Sequence, residues 1–121
     1  MEETPAKIRI GIFGGSGYGG SELLRILLSH PNAEVELVTA NEHAGKPVGE
    51  VHRNLYGLTD LNFAKAPDDL SGLGNLDCVF LALPHGQAMD IVPRLPESVK
   101  VIDLSGDFRL RDKDEDRKSV V

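Results

Sequence analysis

Apolar and polar residues follow a pattern in the first forty positions that predicts a strand, a helix and a second strand. Residues 7–13 (KIRIGIF) alternate and then meet a cluster of glycines, which is typical of a strand that ends in a tight turn. Residues 21–29 carry apolar side chains at helical spacing, and His30, Pro31 and Asn32 end that helix. Residues 35–40 (VELVTA) form the next predicted strand, so the segment predicts a parallel βαβ unit.

The rest of the chain continues this alternation of strands and helices. The predicted elements are, in order, an irregular surface loop over residues 41–58, a short strand over 61–64, a strand buried on both faces over 77–83, a short helix over 87–95 and a strand over 99–104. Such alternation favours a doubly wound, mostly parallel α/β sheet, the Rossmann-like class of dinucleotide-binding domain.

Length, charge and cysteine content limit the classes of protein that fit. The 121 residues are enough for one compact domain, which we expect over residues 1–110, followed by a charged, disordered tail over 111–121. The net charge of −6 argues against nucleic-acid or anionic-membrane partners. The single cysteine, Cys78, indicates a reducing cytoplasm, and its place in an apolar strand predicts a buried structural thiol.

The turn after the first predicted strand reads GGSGYGG over residues 14–20. Its glycines fit G-x-G-x-x-G from Gly15 or G-x-x-G-x-x-G from Gly14, and both patterns share Gly17 and Gly20. A dinucleotide pyrophosphate needs free backbone N–H groups at a helix N-terminus and a chain that it can approach closely. Because a strand enters this turn and a helix leaves it, the motif predicts a dinucleotide site rather than a merely flexible turn.

Four segments resemble the N-acetyl-gamma-glutamyl-phosphate reductases, a family of the semialdehyde dehydrogenase group. They read GGSGYGGSELLRILLSHP from residue 14, AGKPVGEVH from residue 44, FLALPHG from residue 80 and VIDLSGDFRL from residue 101. The segments follow the family's order across residues 7–110. A related lysine-pathway family, which acts on a carrier-protein-linked glutamyl or aminoadipyl phosphate, shares these patterns.

The resemblance implies NADP-dependent reduction of N-acetyl-glutamyl 5-phosphate to the 5-semialdehyde, a step of arginine biosynthesis. In the family a cysteine thiolate attacks the acyl phosphate, a nicotinamide hydride reduces the resulting thioester, and a histidine transfers protons. Both groups lie in the family's second domain, the cysteine in a His-Pro-Gly-Cys-Tyr setting, and nothing after Leu110 in this sequence matches that segment. We therefore expect no catalytic residue here, no reductase activity of this chain alone, and a homo-oligomeric full-length enzyme.

The resemblance also assigns residues to binding sites. Ser105 and Arg109 resemble residues near the substrate, where a guanidinium suits bidentate contact with phosphate or carboxylate. The alternatives are a surface salt bridge for Arg109 and an ordinary loop histidine at His85. No metal ligand is predicted. The predicted cofactor-binding residues are Gly14, Gly15, Ser16, Gly17, Tyr18, Gly20, Asn41, Leu83, Pro84 and His85.

The sequence departs from the family after the second predicted strand. Relatives often carry serine or arginine beside the 2′-phosphate, whereas this chain has Asn41, Glu42 and His43. An acidic residue near the position of Glu42 commonly binds the ribose hydroxyls of NAD. We expect NADP as the cofactor, with NAD as the alternative that Glu42 introduces.

Two other functions compete with the reductase assignment. The first is a stand-alone dinucleotide-binding module without an enzymatic partner domain. The second is an aspartate-semialdehyde dehydrogenase, whose turn usually carries Ala-Thr-Gly; the ALPHG and DFRL segments oppose it.

Overall fold

Four parallel strands form the sheet at the centre of the protein. The computed structural model describes residues 7–83 and 85–104 and, for residue 85, the backbone alone. The strands are β1 (Ile8–Phe13), β2 (Ala33–Thr39), β3 (Cys78–Leu81) and β4 (Lys100–Asp103), in the spatial order β2-β1-β3-β4. Every neighbouring pair is parallel, which confirms the predicted α/β class.

The connections place β2 and β3 on opposite sides of β1. The helices are α1 (Tyr18–Leu28) between β1 and β2, α2 (Val48–Val51) after β2, and α3 (His85–Ile91) between β3 and β4; single 3₁₀ segments cover Arg53–Leu55, Leu70–Asn75 and Val92–Arg94. Since the strand order reverses at β1, the carboxyl ends of β1 and β3 border a topological switch point. Ligands of open α/β sheets bind at such points.

Two apolar clusters cover the two faces of the sheet. Successive residues of a strand point to opposite faces, so the apolar residues of β1 are divided between the clusters. The cluster on the α1 side includes Ile10, Ile12, Leu24, Leu27 and Val38, and the cluster on the α3 side includes Phe13, Val79, Leu81, Ala88 and Leu95. No helix within the described ranges is long and apolar enough to cross a bilayer.

Helix α1 begins earlier than the predicted start at residue 21. Its N-cap is Gly17, with extended backbone angles of φ −85° and ψ −177°, so Gly19 and Gly20 belong to the first helical turn. The close packing of the helix on the turn requires Gly20. A Cβ there would lie 2.6 Å from the Cα of Gly15.

The prediction of an irregular surface loop over residues 41–58 was wrong in part. Val48 and Leu55 are fully buried, and both belong to the cluster on the α1 side. Helix α2 and the 3₁₀ segment after it bring them there. The apolar residues at positions 48, 51 and 55 have helical spacing, which the neighbouring glycine and proline residues obscured in the sequence.

The predicted strand over residues 61–64 was also wrong. This segment forms two isolated bridges, a parallel one between Thr39 and Ala64 and an antiparallel one between Pro47 and Asn62. Because its backbone partners lie in two different segments, neither pairing extends into a ladder. The predicted helix over 87–95 instead begins at residue 85, and its last residues form the 3₁₀ segment Val92–Arg94.

We predict opposite stability effects for two alanine substitutions in the first turn of α1. Gly20→Ala should lower the free energy of unfolding by about 1–3 kcal/mol, because the new methyl group meets backbone that cannot move independently. Gly19→Ala should raise it by up to about 1 kcal/mol, because no described residue lies within 4 Å of the Gly19 Cβ position and alanine favours helix. Chemical unfolding of both variants measures these values, and equal effects would contradict the packing described.

Candidate functional site

A cleft of about 480 Å³ opens at the carboxyl ends of β1, β2 and β3. Its walls come from the glycine turn, from the residues that follow β2, from the end of β3 and from one side of α3. This is the edge of the sheet where the topology predicts a ligand. The lining residues are Phe13, Gly14, Ser16, Gly17, Thr39, Ala40, Asn41, Glu42, His43, Ala66, Ala82, Leu83, Gln87 and Ile91.

Half of the predicted cofactor residues line this cleft. They are Gly14, Ser16, Gly17, Asn41 and Leu83. Gly15 and Gly20 are buried beneath the turn, and Tyr18 lies outside the cleft lining with 83% of its surface exposed. Pro84, Ser105, Arg109 and the tail over residues 111–121 lie outside the described residues, as does the side chain of His85.

The glycines of the turn have different physical roles. Gly14 has φ +86°, a conformation that favours glycine, and a Cβ there would lie 2.6 Å from the carbonyl oxygen of Ala82. A Cβ on Gly15 would overlap Val38, and a Cβ on Gly20 would overlap Gly15 itself. Gly17 has no neighbour among the described residues within 4 Å of its Cβ position, so this glycine faces open space beside the cleft there.

Hydrogen bonds from two sides fix the backbone of the turn. The Thr39 carbonyl at the end of β2 accepts from the N–H groups of Gly14 and Gly15, at 3.2 and 2.8 Å. The carbonyl oxygen of Gly15 lies 2.7 Å from Nε2 of His52, a buried side chain that follows α2. The His52 ring also packs edge-on against Phe63, with 5.8 Å between ring centroids.

The N-terminus of α1 gives this end of the cleft a positive potential. In the part of the chain that the structure describes, no side chain caps the helix at Gly17, and its first turn contains no acidic residue. The first N–H groups of a helix have no partner within the helix and carry about half an elementary charge. An anion bound beside Ser16 and Gly17 would therefore be stabilised by both hydrogen bonding and charge.

The residues after β2 give the opposite wall a polar and partly acidic character. Asn41 and Glu42 are exposed and line the cleft, so a carboxylate lies on this wall, away from the helix N-terminus. Next to them, Nδ1 of His43 is buried and has no hydrogen-bond partner among the described residues. Buried polar atoms are normally paired, so this nitrogen is an exception beside the cleft wall.

Several residues of the site were not predicted from the sequence. Three residues reach the cleft from segments distant in the chain: Ala66, Gln87 and Ile91. Two others fix the turn by hydrogen bonds to its backbone, Thr39 through its carbonyl and His52 through its side chain. His52 lies in one of the segments that resemble the reductase family, but the sequence indicated no role for it. Its contact with Gly15 spans 37 positions, and no local pattern indicates such a contact.

Cys78 is buried in β3 and packs in the apolar cluster on the α1 side, as predicted. Burial, and secondarily the nearby Asp77 carboxylate, raises the pKa of its thiol. A thiol held in its protonated form is a poor nucleophile. The residue is also absent from the lining of the cleft, so its position is that of a structural cysteine.

Most of the chain is strongly similar in sequence to known reductases. A 104-residue alignment with N-acetyl-gamma-glutamyl-phosphate reductase of Acidothermus cellulolyticus has 52% identity and covers 86% of this chain and 30% of the relative. The enzyme of the same name from Methanothrix thermoacetophila is 56% identical over 104 residues, with 85% and 30% coverage. The [LysW]-L-2-aminoadipate/[LysW]-L-glutamate phosphate reductase of Saccharolobus solfataricus is 49% identical over 107 residues, with 87% and 30% coverage. The chain thus spans about 30% of the length of these relatives.

A comparison of folds and a family model agree with this result. The fold resembles that of aspartate semialdehyde dehydrogenase with NADP from Candida albicans, with a TM-score of 0.66 and 19% identity over 88% of this chain and 32% of that one. The family model described as "Semialdehyde dehydrogenase, NAD binding domain" matches residues 9–121. The chain therefore belongs to the semialdehyde dehydrogenase NAD-binding-domain family.

Proposed function

We propose that this chain binds a nicotinamide dinucleotide, with the pyrophosphate at the N-terminus of α1. The observation that carries the proposal is the open position of Gly17, at the uncapped start of a helix that faces a cleft at the switch point of the sheet. A pyrophosphate needs this combination of free N–H groups, positive potential and absent side chain. The ribose and adenine would then extend toward residues 41–43.

We propose further that the chain supplies the cofactor-binding part of an enzyme that reduces N-acetyl-glutamyl 5-phosphate to the 5-semialdehyde with NADP. The names and identities of the arginine-pathway relatives support this substrate. Reduction through a thioester needs a reactive thiolate. Since the only cysteine of the chain is buried, the chain by itself should not catalyse the reaction.

A lysine-pathway substrate is the second candidate. The Saccharolobus solfataricus relative, named for a carrier-linked aminoadipate or glutamate phosphate, aligns at 49% identity over 87% of this chain. Both substrates are acyl phosphates of a small acidic amino acid, so the proposed chemistry is shared. Whichever of the two substrates is correct, a chain with a single cysteine is compatible with a protein of the reducing cytoplasm.

NADP is the cofactor we propose first, and NAD is the alternative. The family resemblance favours NADP, and the Candida albicans enzyme of similar fold was crystallised with NADP. Glu42 opposes it, because a carboxylate on the cleft wall would repel a 2′-phosphate.

Replacing Gly17 with valine should abolish binding of NADP and NAD. Its backbone angles are accessible to any residue and its Cβ position is open, so the variant should fold while its side chain occupies the proposed path of the pyrophosphate. Calorimetric titration measures the affinity. Gly19→Val is the matched control, since Gly19 is equally open in the same helix but outside the cleft. Unchanged affinity of a folded Gly17→Val variant would refute the proposed site.

Replacing Glu42 with arginine should raise the NADP to NAD affinity ratio by about tenfold, because a like charge is replaced by a phosphate-binding guanidinium. Titrations of each cofactor into parent and variant give the ratio. Glu50→Arg is the control, because it makes the same change of charge on the exposed surface of α2, outside the cleft lining. If the two variants change the ratio equally, or neither changes it, Glu42 does not face the 2′ position.

A further inference from the structure

His52 is a buried imidazole whose hydrogen-bond partner is a backbone carbonyl of the glycine turn. Only 8% of its surface is exposed, and its Nε2 lies 2.7 Å from the oxygen of Gly15. A carbonyl oxygen only accepts hydrogen bonds, so Nε2 must carry the proton and donate. Phe63 packs against the ring and fixes its orientation.

This hydrogen bond fixes the orientation of the peptide group between Gly15 and Ser16. The described backbone has no cis peptide bonds, and in a trans peptide the C=O and the N–H point in opposite directions. When His52 binds the Gly15 oxygen on the buried side, the N–H of Ser16 must point away from His52. Ser16 lines the cleft and His52 does not, which agrees with an N–H directed toward the cleft.

The other contacts of Gly15 hold its Cα and the peptide group before it, whereas the His52 hydrogen bond acts on the Gly15–Ser16 peptide group itself. The N–H of Gly15 donates to the Thr39 carbonyl at 2.8 Å, and Gly20 packs directly on the Gly15 backbone. The N–H of Ser16 makes no backbone hydrogen bond among the described residues. It is therefore an oriented donor without a backbone partner there, and polarisation through the His52 hydrogen bond strengthens it.

We propose that His52 is a positioning residue for the cofactor, which acts by aiming the Ser16 N–H at a phosphate oxygen of the bound dinucleotide. The inference rests on the proposed dinucleotide function and adds a residue from outside the cleft. In the proposed contact, a pyrophosphate oxygen accepts a hydrogen bond from a backbone amide that is already oriented before the cofactor binds. The side chain itself does not touch the cofactor.

Two substitutions at His52 separate the hydrogen bond from the packing. His52→Phe keeps a ring of similar shape but cannot donate, and it leaves the Gly15 oxygen unpaired and free to reorient. His52→Gln places a donating amide near the position of Nε2. In titrations of the 121-residue chain with NADP, well below each unfolding midpoint, we expect about tenfold weaker binding for His52→Phe and nearly parental affinity for His52→Gln.

A third variant controls for lost stability. Leu55→Ala removes a fully buried side chain from the same segment and keeps His52, so it should destabilise the protein without changing the affinity of the folded molecules. The inference is overturned if His52→Phe binds like the parent, if His52→Gln binds as weakly as His52→Phe, or if Leu55→Ala weakens binding as much.

The comparison remains decisive if His52→Phe does not fold. His52→Asn then replaces it, because the shorter side chain of asparagine cannot bring its amide to the Gly15 oxygen. We expect His52→Gln to bind NADP well and His52→Asn to bind it poorly. Equal affinities of these two variants would overturn the inference. If the parent binds NADP, Gly17→Val does not bind it and His52→Phe still does, then only the proposed role of His52 is refuted. Absence of NADP binding by the parent removes the dinucleotide function and the inference with it.

Discussion

The structure depends on the way Gly15 is enclosed. Its Cα lies beneath the first turn of α1, where the absence of a side chain on Gly20 permits contact of backbone with backbone. Its N–H donates to the Thr39 carbonyl and its own carbonyl accepts from His52, so the end of β2 and the segment after α2 meet at this one residue. Because α1 can lie this close only while position 20 is glycine, the placement of the helix N-terminus follows from this contact.

The site follows from that geometry. With α1 fixed against the glycine turn, its N-terminus faces the crevice where the strand order reverses, and the turn presents the Gly17 backbone without a side chain. The cleft then joins a positive end, made of backbone dipoles, to a polar wall containing Glu42 and His43. A ligand whose phosphates lie at the positive end and whose sugar hydroxyls reach the polar wall matches this distribution of charge. The adenosine-diphosphate half of a nicotinamide dinucleotide has that form, and the family match agrees with it.

Much of this arrangement was predictable from the sequence, because local periodicity and the glycine spacing depend on neighbouring residues. The four strands of the sheet, α1 and the glycine turn were predicted in the right order, and Cys78 was predicted to be buried. The different roles of Gly15 and Gly17 were not predictable, because they depend on whether distant side chains approach each position. His52 was missed for the same reason. Helix α2 was missed because its few residues follow Pro47 in a segment rich in turn formers.

The most direct test of the proposed site is to observe which backbone amides respond when NADP is titrated into the isotope-labelled protein and followed by nuclear magnetic resonance. The largest shifts should occur at Ser16 and Gly17, with further shifts at residues 41–43. Amides around Arg53 and Tyr56, which border a separate surface depression, should change little. The central claim would be contradicted if the shifts concentrated around Arg53 and Tyr56 while the glycine turn stayed unchanged.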